Sequence, residues 1–443
     1  MKSLSTPHVL IRYTFEHMLD IRFIRENTEV IRKAILNKQL PKALERLDAL
    51  LLADEEFRSL RKDLEELQAV RNQRSKEIGE RKRSGESAES LIEDMGRVSS
   101  DVKRLEEKSR SLEEAIQGHL LEIPNVPHSS VPYGEGEQDN TVVKEWGKKS
   151  EFPFKAKPHW ELAVQRGWID FEAGVKLTGA GFPVFKGDGA LLIRALKTFF
   201  LDSLVSAGYV EIRPPILVNE ESATATGQLP DKEGQMYQNT DGYYLIPTSE
   251  VSVTNLHRGE ILSQTDLPVR YAAFTPNFRR EAGSYGKEVR GLNRLHQFDK
   301  VEMVQFVKPE DSYEALEEMV AFAESLLEAL ELPYRRLLMC SGDMGFTQAK
   351  KYDLEVWSGG QNRWLEVSSV SNMEAFQASR LQTRYRPDST GSKVRPELVH
   401  TLNGSALAFP RTIAAILEKF QETDGRVEIP KVLRPIMNKS FMD

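Results

Sequence analysis

Cysteine is nearly absent from the chain, since Cys340 is the single cysteine among 443 residues. One thiol cannot form a disulfide within the chain, and it cannot supply a zinc site that needs several cysteines. A lone cysteine is most often a small, buried, apolar residue, so we expect no chemical role for Cys340. Such low use of cysteine favours a cytoplasmic location.

Long apolar runs are missing as well. No stretch approaches the roughly 18 consecutive apolar residues that predict a membrane-spanning helix. The N-terminus has a short apolar patch but neither the longer apolar region nor the cleavage site of a secretory signal. We therefore expect no association with a membrane. With 40% hydrophobic and 29% charged residues, the composition is that of a globular protein.

An excess of positive charge is also lacking. The formal net charge is −7 at pH 7, which argues against a general nucleic-acid binder, because such proteins usually carry a basic surface. Any contact with a nucleic acid must therefore depend on a local cluster of basic residues.

The pattern of apolar residues changes along the chain and predicts four segments. A helical pattern ends at Pro124 and Pro127, and a polar stretch follows, which is the clearest domain boundary. The segments are an N-terminal extension without an assigned role (1–17), a helical domain (18–125), a linker (126–140) and an α+β domain of short strands, glycine-rich loops and amphipathic helices (141–443).

Heptad spacing in the helical domain predicts a long antiparallel pair of helices. Apolar residues recur at alternating gaps of four and three, which is the spacing of a coiled-coil seam. The stretch 81–90 interrupts this pattern, so two matched helices of roughly 35 residues each should flank one short loop. The seam residues are Phe57, Leu60, Leu64, Leu67 and Ile78, followed by Leu91, Met95, Val98, Val102, Leu105, Leu112 and Ile116.

Six basic side chains cluster at the predicted tip of this hairpin, namely Arg71, Arg74, Lys76, Arg81, Lys82 and Arg83. Only Glu77 and Glu80 are expected to face them. Arg71 and Arg74 even occupy seam positions, where a purely structural coiled coil prefers leucine. A projecting basic tip suits a phosphate backbone, because such binding is driven largely by counterion release. The alternative is an ordinary solvated helix end.

A glycine-rich loop flanked by two strand-like runs predicts an antiparallel hairpin with unusual polar groups. Side chains two residues apart on a strand share a face, so Arg279 and Glu281 should lie together. Phe298, Lys300 and Glu302 share a face by the same rule. A cation can bind phosphate, a carboxylate can accept from an amine, and a ring can stack on a base, so this surface predicts a nucleotide site without a P-loop. An exposed charged hairpin is the alternative.

The segment LIPTSEVSVTN offers a hydroxyl and a carboxylate. Thr248 and Glu250 alternate as they would on one face of a strand, and such a pair suits the ammonium group of an amino acid. The pattern alone is weakly specific, because T-x-E sequences are common.

Oxygen ligands for a hard cation come from a later segment. Glu366 and Ser368 alternate along a strand-like run. Glu366 with Ser369 could bind Mg²⁺, which usually takes one or two carboxylates together with substrate phosphates. Further on, a tight turn at Asn403–Gly404 is expected after a strand, and Arg411 lies near the start of a helix. A helix N-terminus with an arginine favours an anion.

Taken in order, these stretches resemble the motifs of class II aminoacyl-tRNA synthetases. FRRE with its glycine-rich loop and HQFDKVEM resembles motif 2, GSALAFPRTIAAILE resembles motif 3, and the helix leading into GYVEIRPP resembles motif 1. IPTSE, GDMGF, YDLEVW, EVSSVSN and LVHTLNGSALA together resemble the seryl-tRNA synthetase family, whose tRNA arm the N-terminal hairpin resembles. The similarity covers about residues 18–435. Ser249 and Phe409–Pro410 replace smaller residues of many relatives.

The resemblance implies the fold and the reaction. The fold would be α+β, with an antiparallel-sheet class II catalytic domain and an N-terminal helical coiled-coil arm. The enzyme would attach L-serine to tRNA(Ser), with tRNA(Sec) as a further candidate, using ATP and Mg²⁺ and passing through a seryl-adenylate. It would form a homodimer through motif 1.

The resemblance also implies roles for the matching residues. Arg279 would hold the α-phosphate of ATP and the serine carboxylate, and Arg411 the γ-phosphate, as the catalytic pair. Glu281 would accept from the adenine amine and Phe298 would stack on its ring. The other ATP ligands would be Arg280, Glu366, Val367, Ser368 and Ser369, with Glu366 and Ser369 also holding the metal. The serine ligands would be Thr248, Ser249, Glu250, Glu302 and Ser405.

Two rival functions stay open on these grounds. An amino acid:carrier-protein ligase would use the same adenylation chemistry but would have no use for a long basic arm. A non-catalytic tRNA-binding relative would be expected to lose groups that are all present here, namely Arg279, Glu281, Glu302, Glu366 and Arg411.

Overall fold

The computed structural model describes residues 21–231, 234–281, 290–388 and 395–443, so the predicted N-terminal extension and most of the predicted glycine-rich loop lie outside the described residues. The chain divides into two compact units between Pro124 and Asn125. The helices are α1 (Ile21–Glu26), α2 (Thr28–Asn37), α3 (Lys42–Ser84), α4 (Glu89–Leu120), α5 (His159–Gln165), α6 (Phe171–Leu177), α7 (Asp188–Ser206), α8 (Glu220–Ala225), α9 (Glu250–Thr254), α10 (Ser312–Ala329), α11 (Ala375–Leu381), α12 (Phe409–Lys419) and α13 (Arg434–Met437). The strands are β1 (Thr141–Trp146), β2 (Ile169–Asp170), β3 (Val184–Phe185), β4 (Val210–Ile212), β5 (Leu217–Val218), β6 (Tyr237–Gln238), β7 (Tyr244–Leu245), β8 (Ile261–Ser263), β9 (Val269–Phe278), β10 (Gln297–Val307), β11 (Tyr334–Leu338), β12 (Lys350–Ser358), β13 (Arg363–Glu374), β14 (Arg384–Arg386), β15 (Glu397–Leu398), β16 (His400–Ala408), β17 (Val427–Glu428) and β18 (Phe441–Met442).

The N-terminal unit is built on α3 and α4, which form the arm and confirm the predicted coiled coil. Four seam residues are buried against one another: Leu60, Leu64, Val102 and Leu105. The two helices are not matched in length, because α3 has 43 residues and α4 has 32. Asp48, near the start of α3, forms an ion pair with Arg32 of α2.

The arm turns back at Gly85. This residue has φ +80°, the left-handed conformation that favours glycine, and its N–H donates to the carbonyl of Arg81. The interruption in the heptad pattern is therefore a helix cap followed by a short turn, and α4 begins at Glu89.

The basic cluster at the tip is partly neutralised within the arm. Arg74 Nη1 lies 2.8 Å from a carboxylate oxygen of Asp94 on α4, and Arg81 Nη2 lies 3.3 Å from Glu77. The prediction that only Glu77 and Glu80 face the cluster is therefore wrong. The prediction missed Asp94 because this residue comes close to Arg74 only when the two helices fold back on each other.

An eight-stranded sheet forms the centre of the C-terminal unit, with the order β1-β11-β12-β13-β16-β10-β9-β4. Neighbouring strands are antiparallel except β4 and β9, which are parallel. This arrangement confirms the predicted antiparallel-sheet α+β fold. The predicted hairpin is the pair β9 and β10, in which Lys300 lies opposite Thr275. β4 lies at an edge of the sheet, where the proline pair Pro214–Pro215 that follows it can lack two backbone donors.

The two faces of this sheet differ in character. Val301 and Met303 of β10 belong to the main apolar core, which includes residues of α7, α10 and α12. Side chains alternate along a strand, so Glu302 and Val304 point to the other face. That face carries a polar cavity and, beside it, a smaller apolar cluster with residues of α9 and α11. Packing of the core thus sets the positions of the polar side chains.

Two local predictions are wrong. Asn403–Gly404 is no turn but lies within β16, between β10 and β13. A Cβ on Gly404 would lie 2.9 Å from the Val370 side chain, so glycine is needed there for close approach of two strands. The expected strand with Thr248 and Glu250 is instead the start of α9, where Thr248 Oγ1 accepts the N–H of Glu250 at 3.3 Å. This hydroxyl satisfies a donor of the first helical turn.

A bulge in β13 overturns a third prediction. Val367 has no partner in the register with β12, so β13 contains one extra residue at this point. The regular alternation expected from Glu366 to Ser368 is therefore interrupted, although both residues lie on the cavity wall. Ser368 Oγ donates to the carbonyl of Ser405 at 2.6 Å, and Ser369 joins Glu366 on the cavity wall.

The helices over the core pack through large apolar side chains. Phe200 of α7 meets Phe409 of α12 edge to face, with ring centroids 5.5 Å apart. Within the described ranges, no helix is long and apolar enough to cross a membrane. Cys340 is buried, as predicted.

Candidate active site

A cavity of about 500 Å³ lies on the polar face of the sheet, with walls from β10, β13 and β16 and from the beginnings of α9 and α12. Residues far apart in the sequence meet here, which the linear pattern alone could not establish. The predicted site residues on its wall are Thr248, Glu250, Arg279, Glu281, Phe298, Glu302, Glu366, Val367, Ser368, Ser369, Ser405 and Arg411.

Two predicted site residues do not line the cavity. Ser249 is fully buried at the N-cap of α9. Arg280 lies beyond the end of β9, where its N–H donates to the carbonyl of Gln235 at 3.0 Å. Neither position contributes to the cavity wall, and their assignment to serine and ATP stays a prediction.

Lys300 is the principal site residue that was not predicted as a ligand. It is 6% exposed, and its Nζ donates to Thr248 Oγ1 at 2.9 Å and forms an ion pair with Glu302. Ser405 Oγ lies 3.4 Å from the same Glu302 carboxylate. Strand alternation had placed Lys300 on the same face as Phe298 and Glu302, so its position was predicted although no role was assigned to it.

Glu250 is a second buried carboxylate of the cavity. Its Oε1 accepts from Gln377 Nε2 at 2.7 Å, and Gln377 in turn accepts from Thr401 Oγ1 at 2.8 Å. Burial raises the pKa of Glu250 to about 7, and the negative charge of Glu302 adds to the rise. A cation placed beside Glu250 would therefore favour its ionised form.

The side chains of Arg279 and Phe298 contact each other on the cavity wall. The guanidinium carbon of Arg279 lies 5.2 Å from the centroid of the Phe298 ring, within the range of a cation–π contact. The backbone N–H of Arg279 donates to the carbonyl of His296 at 2.9 Å, which continues the pairing of the hairpin. The side chain is thus held at the end of the strand with its charge toward the cavity.

Glu281 lines the same cavity, but it lies beyond the end of β9 and not on the strand, where it was predicted. β9 ends at Phe278, and Glu281 has φ +48°, so strand alternation does not determine its direction. Its N–H donates to Gln235 Oε1 at 3.1 Å, and its carboxylate pairs with Arg294 Nη1 at 3.0 Å. Two side chains therefore fix Glu281.

Arg411 is the third residue of α12, which confirms its predicted place near a helix start. Its Nε donates to the carbonyl of Asn293 at 3.1 Å and its Nη1 to the carbonyl of Glu366 at 2.8 Å. The Glu366 carboxylate lies 3.8 Å away. Partial desolvation on the cavity wall would by itself raise the pKa of Glu366, but the positive charges of Arg411 and Lys351 outweigh this effect and lower it.

Glu366 and Ser369 could hold a hard cation together with a ligand. The bulge in β13 places both on the cavity wall, although they are three residues apart. An ionised carboxylate and a hydroxyl are oxygen donors of the kind that Mg²⁺ prefers. Across the described parts of the chain, no group of three or more His, Cys, Asp or Glu residues could hold a metal ion. Substrate oxygens would have to complete such a site.

The arrangement suits a small ligand that carries charges of both signs. Arg279 and Arg411 offer two guanidinium groups for an anion, whereas Glu250 and Glu302 offer carboxylates for an ammonium group. Phe298 adds an aromatic surface. These are the kinds of group that a nucleotide and an amino acid each require.

Known families match both units of the chain. Residues 235–420 match the family model of the tRNA synthetase class II core domain (G, H, P, S and T), and residues 18–127 match that of the seryl-tRNA synthetase N-terminal domain.

Individual relatives cover nearly the whole chain. The serine--tRNA ligase of Salinibacter ruber is 52% identical over 421 residues, which span 94% of this chain and 97% of that relative. The serine--tRNA ligase of Symbiobacterium thermophilum is 47% identical over 420 residues, or 94% of this chain and 98% of the relative. The crystal structure of seryl-tRNA synthetase from Pyrococcus horikoshii complexed with ATP has a TM-score of 0.90 and 36% identity, and the match covers 96% of this chain and 99% of that one.

Proposed function

Because the chain belongs to the seryl-tRNA synthetase family, we propose that its cavity joins serine to ATP and that its arm binds tRNA. The activity is the ATP-dependent attachment of serine to tRNA through a seryl-adenylate. The observation that carries the assignment of the site is the meeting of Arg279, Arg411, Glu250 and Glu302 around one cavity.

In the first step, a carboxylate oxygen of serine attacks the α-phosphorus of ATP. A new O–P bond forms, the bond from this phosphorus to the oxygen that bridges to the β-phosphate breaks, and pyrophosphate leaves with that electron pair. An anion approaches a polyanion, so catalysis depends on positioning and on charge neutralisation. Arg279 serves the α-phosphate and the serine carboxylate, and Arg411 the γ-phosphate. Loss of one such donor costs about 3–4 kcal/mol in the transition state.

Adenine binds between the ring of Phe298 and the carboxylate of Glu281. The exposed face of an aromatic ring suits stacking, and the carboxylate accepts from the exocyclic amine. Support comes from the positions of both groups on the cavity wall and from Arg294, which already orients the Glu281 carboxylate.

Serine binds among Thr248, Glu250, Glu302 and Ser405. Lys300 supports this arrangement, because its charge offsets that of Glu302 and prevents two buried carboxylates from repelling each other without compensation. Glu250 then remains to accept the serine ammonium. A pocket that hydrogen-bonds a hydroxyl should reject alanine by roughly 10⁴–10⁵, because its polar groups would be left unpaired. Threonine has to be excluded by sterics.

The residues present fit a Mg²⁺ ion that enters with ATP. The lowered pKa of Glu366 keeps it ionised, and 45% of its side chain is exposed. Ser369 adds a hydroxyl oxygen on the same wall. The ion would neutralise phosphate charge when bound.

In the second step, a hydroxyl of the 3′-terminal ribose of tRNA attacks the carbonyl carbon of the adenylate, and AMP leaves. The basic cluster of the arm would bind tRNA(Ser), with tRNA(Sec) as a second candidate. Lys76, Lys82 and Arg83 are exposed at the tip, which supports this role. A cytoplasmic location stays a prediction.

A homodimer through α7 and β4 completes the proposal. These elements match motif 1, which forms the dimer interface in the family. Val205 of α7 is 49% exposed and Val210 of β4 is 57% exposed. Two large apolar side chains next to an edge strand suit burial against a second copy.

Pyrophosphate exchange with each of the twenty amino acids, with and without tRNA, tests the function. Of the twenty amino acids, we expect only serine to support exchange, and this exchange should not require tRNA. When tRNA is added, serine should be transferred to it. Exchange with serine but transfer to a carrier protein instead of tRNA would favour a carrier-protein ligase. A folded protein without exchange would be a non-catalytic tRNA binder.

A further inference from the structure

A buried polar cluster lies outside the cavity wall, between the beginning of α5 and the end of α12. His159 and Glu418 have no exposed surface, and His159 Nδ1 lies 2.8 Å from Glu418 Oε1. The Glu418 carboxylate also accepts from the backbone N–H groups of His159 and Gly360, each at 3.0 Å. Ser358 Oγ and Gln361 Nε2 donate to the same carboxylate. Such complete pairing is what a buried charge requires.

The protonation of this cluster follows from its geometry. Burial alone would raise the pKa of Glu418, but the hydrogen bonds it accepts, led by that from His159, outweigh burial and lower it. On the other side of the ring, His159 Nε2 lies 2.8 Å from the backbone nitrogen of Leu292. A backbone N–H can only donate, so Nε2 must carry a lone pair and the proton must be on Nδ1. His159 is therefore a neutral, oriented acceptor for Leu292.

Leu292 belongs to the segment 291–295, which leads into β10. Gly291 has φ +69°, and a Cβ at this residue would lie 2.4 Å from His159 Nε2. The imidazole ring thus packs directly on the backbone of the segment. A second link comes from the same cluster, since Asn293 Nδ2 donates to Gln361 Oε1 at 2.9 Å.

The same segment holds two side chains of the cavity. The carbonyl of Asn293 accepts from Arg411 Nε at 3.1 Å, and Arg294 Nη1 pairs with Glu281 at 3.0 Å. Arg411 and Glu281 are the residues assigned to the γ-phosphate and to adenine. A shift of the segment would therefore move both ends of the ATP site, whereas Thr248 and Glu250 lie at the start of the separate helix α9.

We propose that His159, oriented by Glu418, is a positioning residue for ATP. It acts through Leu292 by fixing the segment that holds Arg411 and Glu281, and it touches neither substrate. This inference rests on the proposed ATP roles of those two residues. Removal of the Nε2 acceptor leaves a buried N–H without a partner and frees the segment to shift.

Two substitutions separate the two hydrogen bonds of the ring. His159→Asn keeps a donor near the Nδ1 position but loses the acceptor for Leu292. His159→Gln reaches toward the Nε2 position and can present an oxygen to Leu292. We expect His159→Asn to raise the KM for ATP in serine-dependent pyrophosphate exchange by about tenfold to a hundredfold. The KM for serine should change by less than about twofold, because distant sites are nearly independent, and His159→Gln should recover most of the ATP effect.

His257→Asn is the matched control. His257 Nδ1 lies 2.7 Å from Glu260, which makes it a second His–Glu contact of the same unit, and it is not on the cavity wall. We expect this variant to leave both KM values unchanged. Thermal unfolding of every variant checks that it is folded.

A folded His159→Asn variant with the wild-type KM for ATP would overturn the proposal, and so would an equal rise in both KM values. If His159→Asn does not fold, Gln361→Met breaks the second link to Asn293 and should still raise the KM for ATP. An unchanged value in that variant would also overturn the proposal. A wild-type protein without serine-dependent exchange would instead refute the proposed function.

Discussion

The arm and the cavity use the same charged side chains in opposite ways. In the arm, Arg97 pairs with Glu93 while more than 70% of each side chain is exposed, and an exposed pair of this kind contributes only about 0–1 kcal/mol. In the cavity, Lys300 and Glu302 form a pair that is nearly fully buried. Removal of one partner of a buried pair typically costs about 3–5 kcal/mol, because a charge is left without compensation.

The two regions therefore depend on their residues in different ways. The arm presents charge to solvent, so the RNA binding proposed for it should depend on the number of cations and on salt. Charged groups of the cavity such as Lys300 and Glu302 are buried, so its chemistry should depend on the position of each group. Substitutions in the two regions should accordingly change different measured quantities.

Replacement of one cavity arginine should have the largest effect. Arg279→Ala should lower serine-dependent pyrophosphate exchange by at least about 10²–10³-fold, because it removes a preorganised cation from the transition state. Arg97→Ala in the arm removes an exposed arginine and should leave exchange unchanged. Circular dichroism should show that both variants are folded. Wild-type exchange in folded Arg279→Ala would remove this residue from its proposed role.

Replacement of several basic side chains of the arm should weaken tRNA binding in proportion to their number and should leave pyrophosphate exchange unchanged. Lys76, Lys82 and Arg83 changed together to glutamine should weaken tRNA binding, and the slope of log affinity against log salt should fall by about one for each phosphate that is no longer neutralised. Exchange should stay at the wild-type rate. Arg74→Gln should have a smaller effect, since Arg74 already pairs with Asp94. An unchanged salt slope in the triple variant would place the RNA-binding surface elsewhere.

The buried carboxylate of the cavity should make serine binding depend on pH. The pKa of Glu250 is raised to about 7, so this residue is largely protonated below that pH. Its ionised form attracts the serine ammonium, and the KM for serine should therefore fall by up to about tenfold per pH unit as the pH rises toward 7, and then level off. Calorimetry should detect proton release on serine binding below about pH 7. Glu250→Gln should remove the dependence, and a KM that ignores pH in the wild type would contradict the assignment.

The smallest effects are expected when one glycine in each region is replaced by alanine. Gly404→Ala places a Cβ 2.9 Å from Val370 in the sheet, and overpacking of this kind costs about 1–3 kcal/mol in the free energy of unfolding. Gly85→Ala meets no atom within 4 Å but keeps φ +80°, which costs about 1–2 kcal/mol. Denaturant unfolding should show the larger loss for Gly404→Ala. The reverse order would mean that backbone strain outweighs crowding.

Features that depend on short-range periodicity could be predicted from the sequence. Heptad spacing around Leu60 and Leu64 predicted the arm, because each helix repeats the same packing arrangement many times. Alternation around Glu302 predicted the β9–β10 hairpin and one face of the cavity. The resemblance to class II motifs predicted further wall residues, including Arg411, which no local pattern links to Glu302.

Features that depend on a tertiary partner could not be predicted in the same way. Asp94 lies 20 residues from Arg74 in the sequence, and the ion pair exists only in the folded hairpin. The pair Asn403–Gly404 is typical of a turn, but in the structure Gly404 lies in a central strand. The neighbouring strands on both sides make glycine necessary there. Ser369 reaches the cavity through an extra residue in β13, for which the sequence has no marker.

The bulge at Val367 should limit the kinds of sequence change that this site tolerates among relatives. Point substitutions leave the register of β13 intact and change one group at a time. Deletion of a single residue in the bulge would instead restore simple alternation and exchange the side chains that face the cavity with those that face the core. Ser369 would then turn inward while Val370 turned outward. Insertions and deletions in this strand should therefore be far rarer in active homologues than substitutions at the same positions.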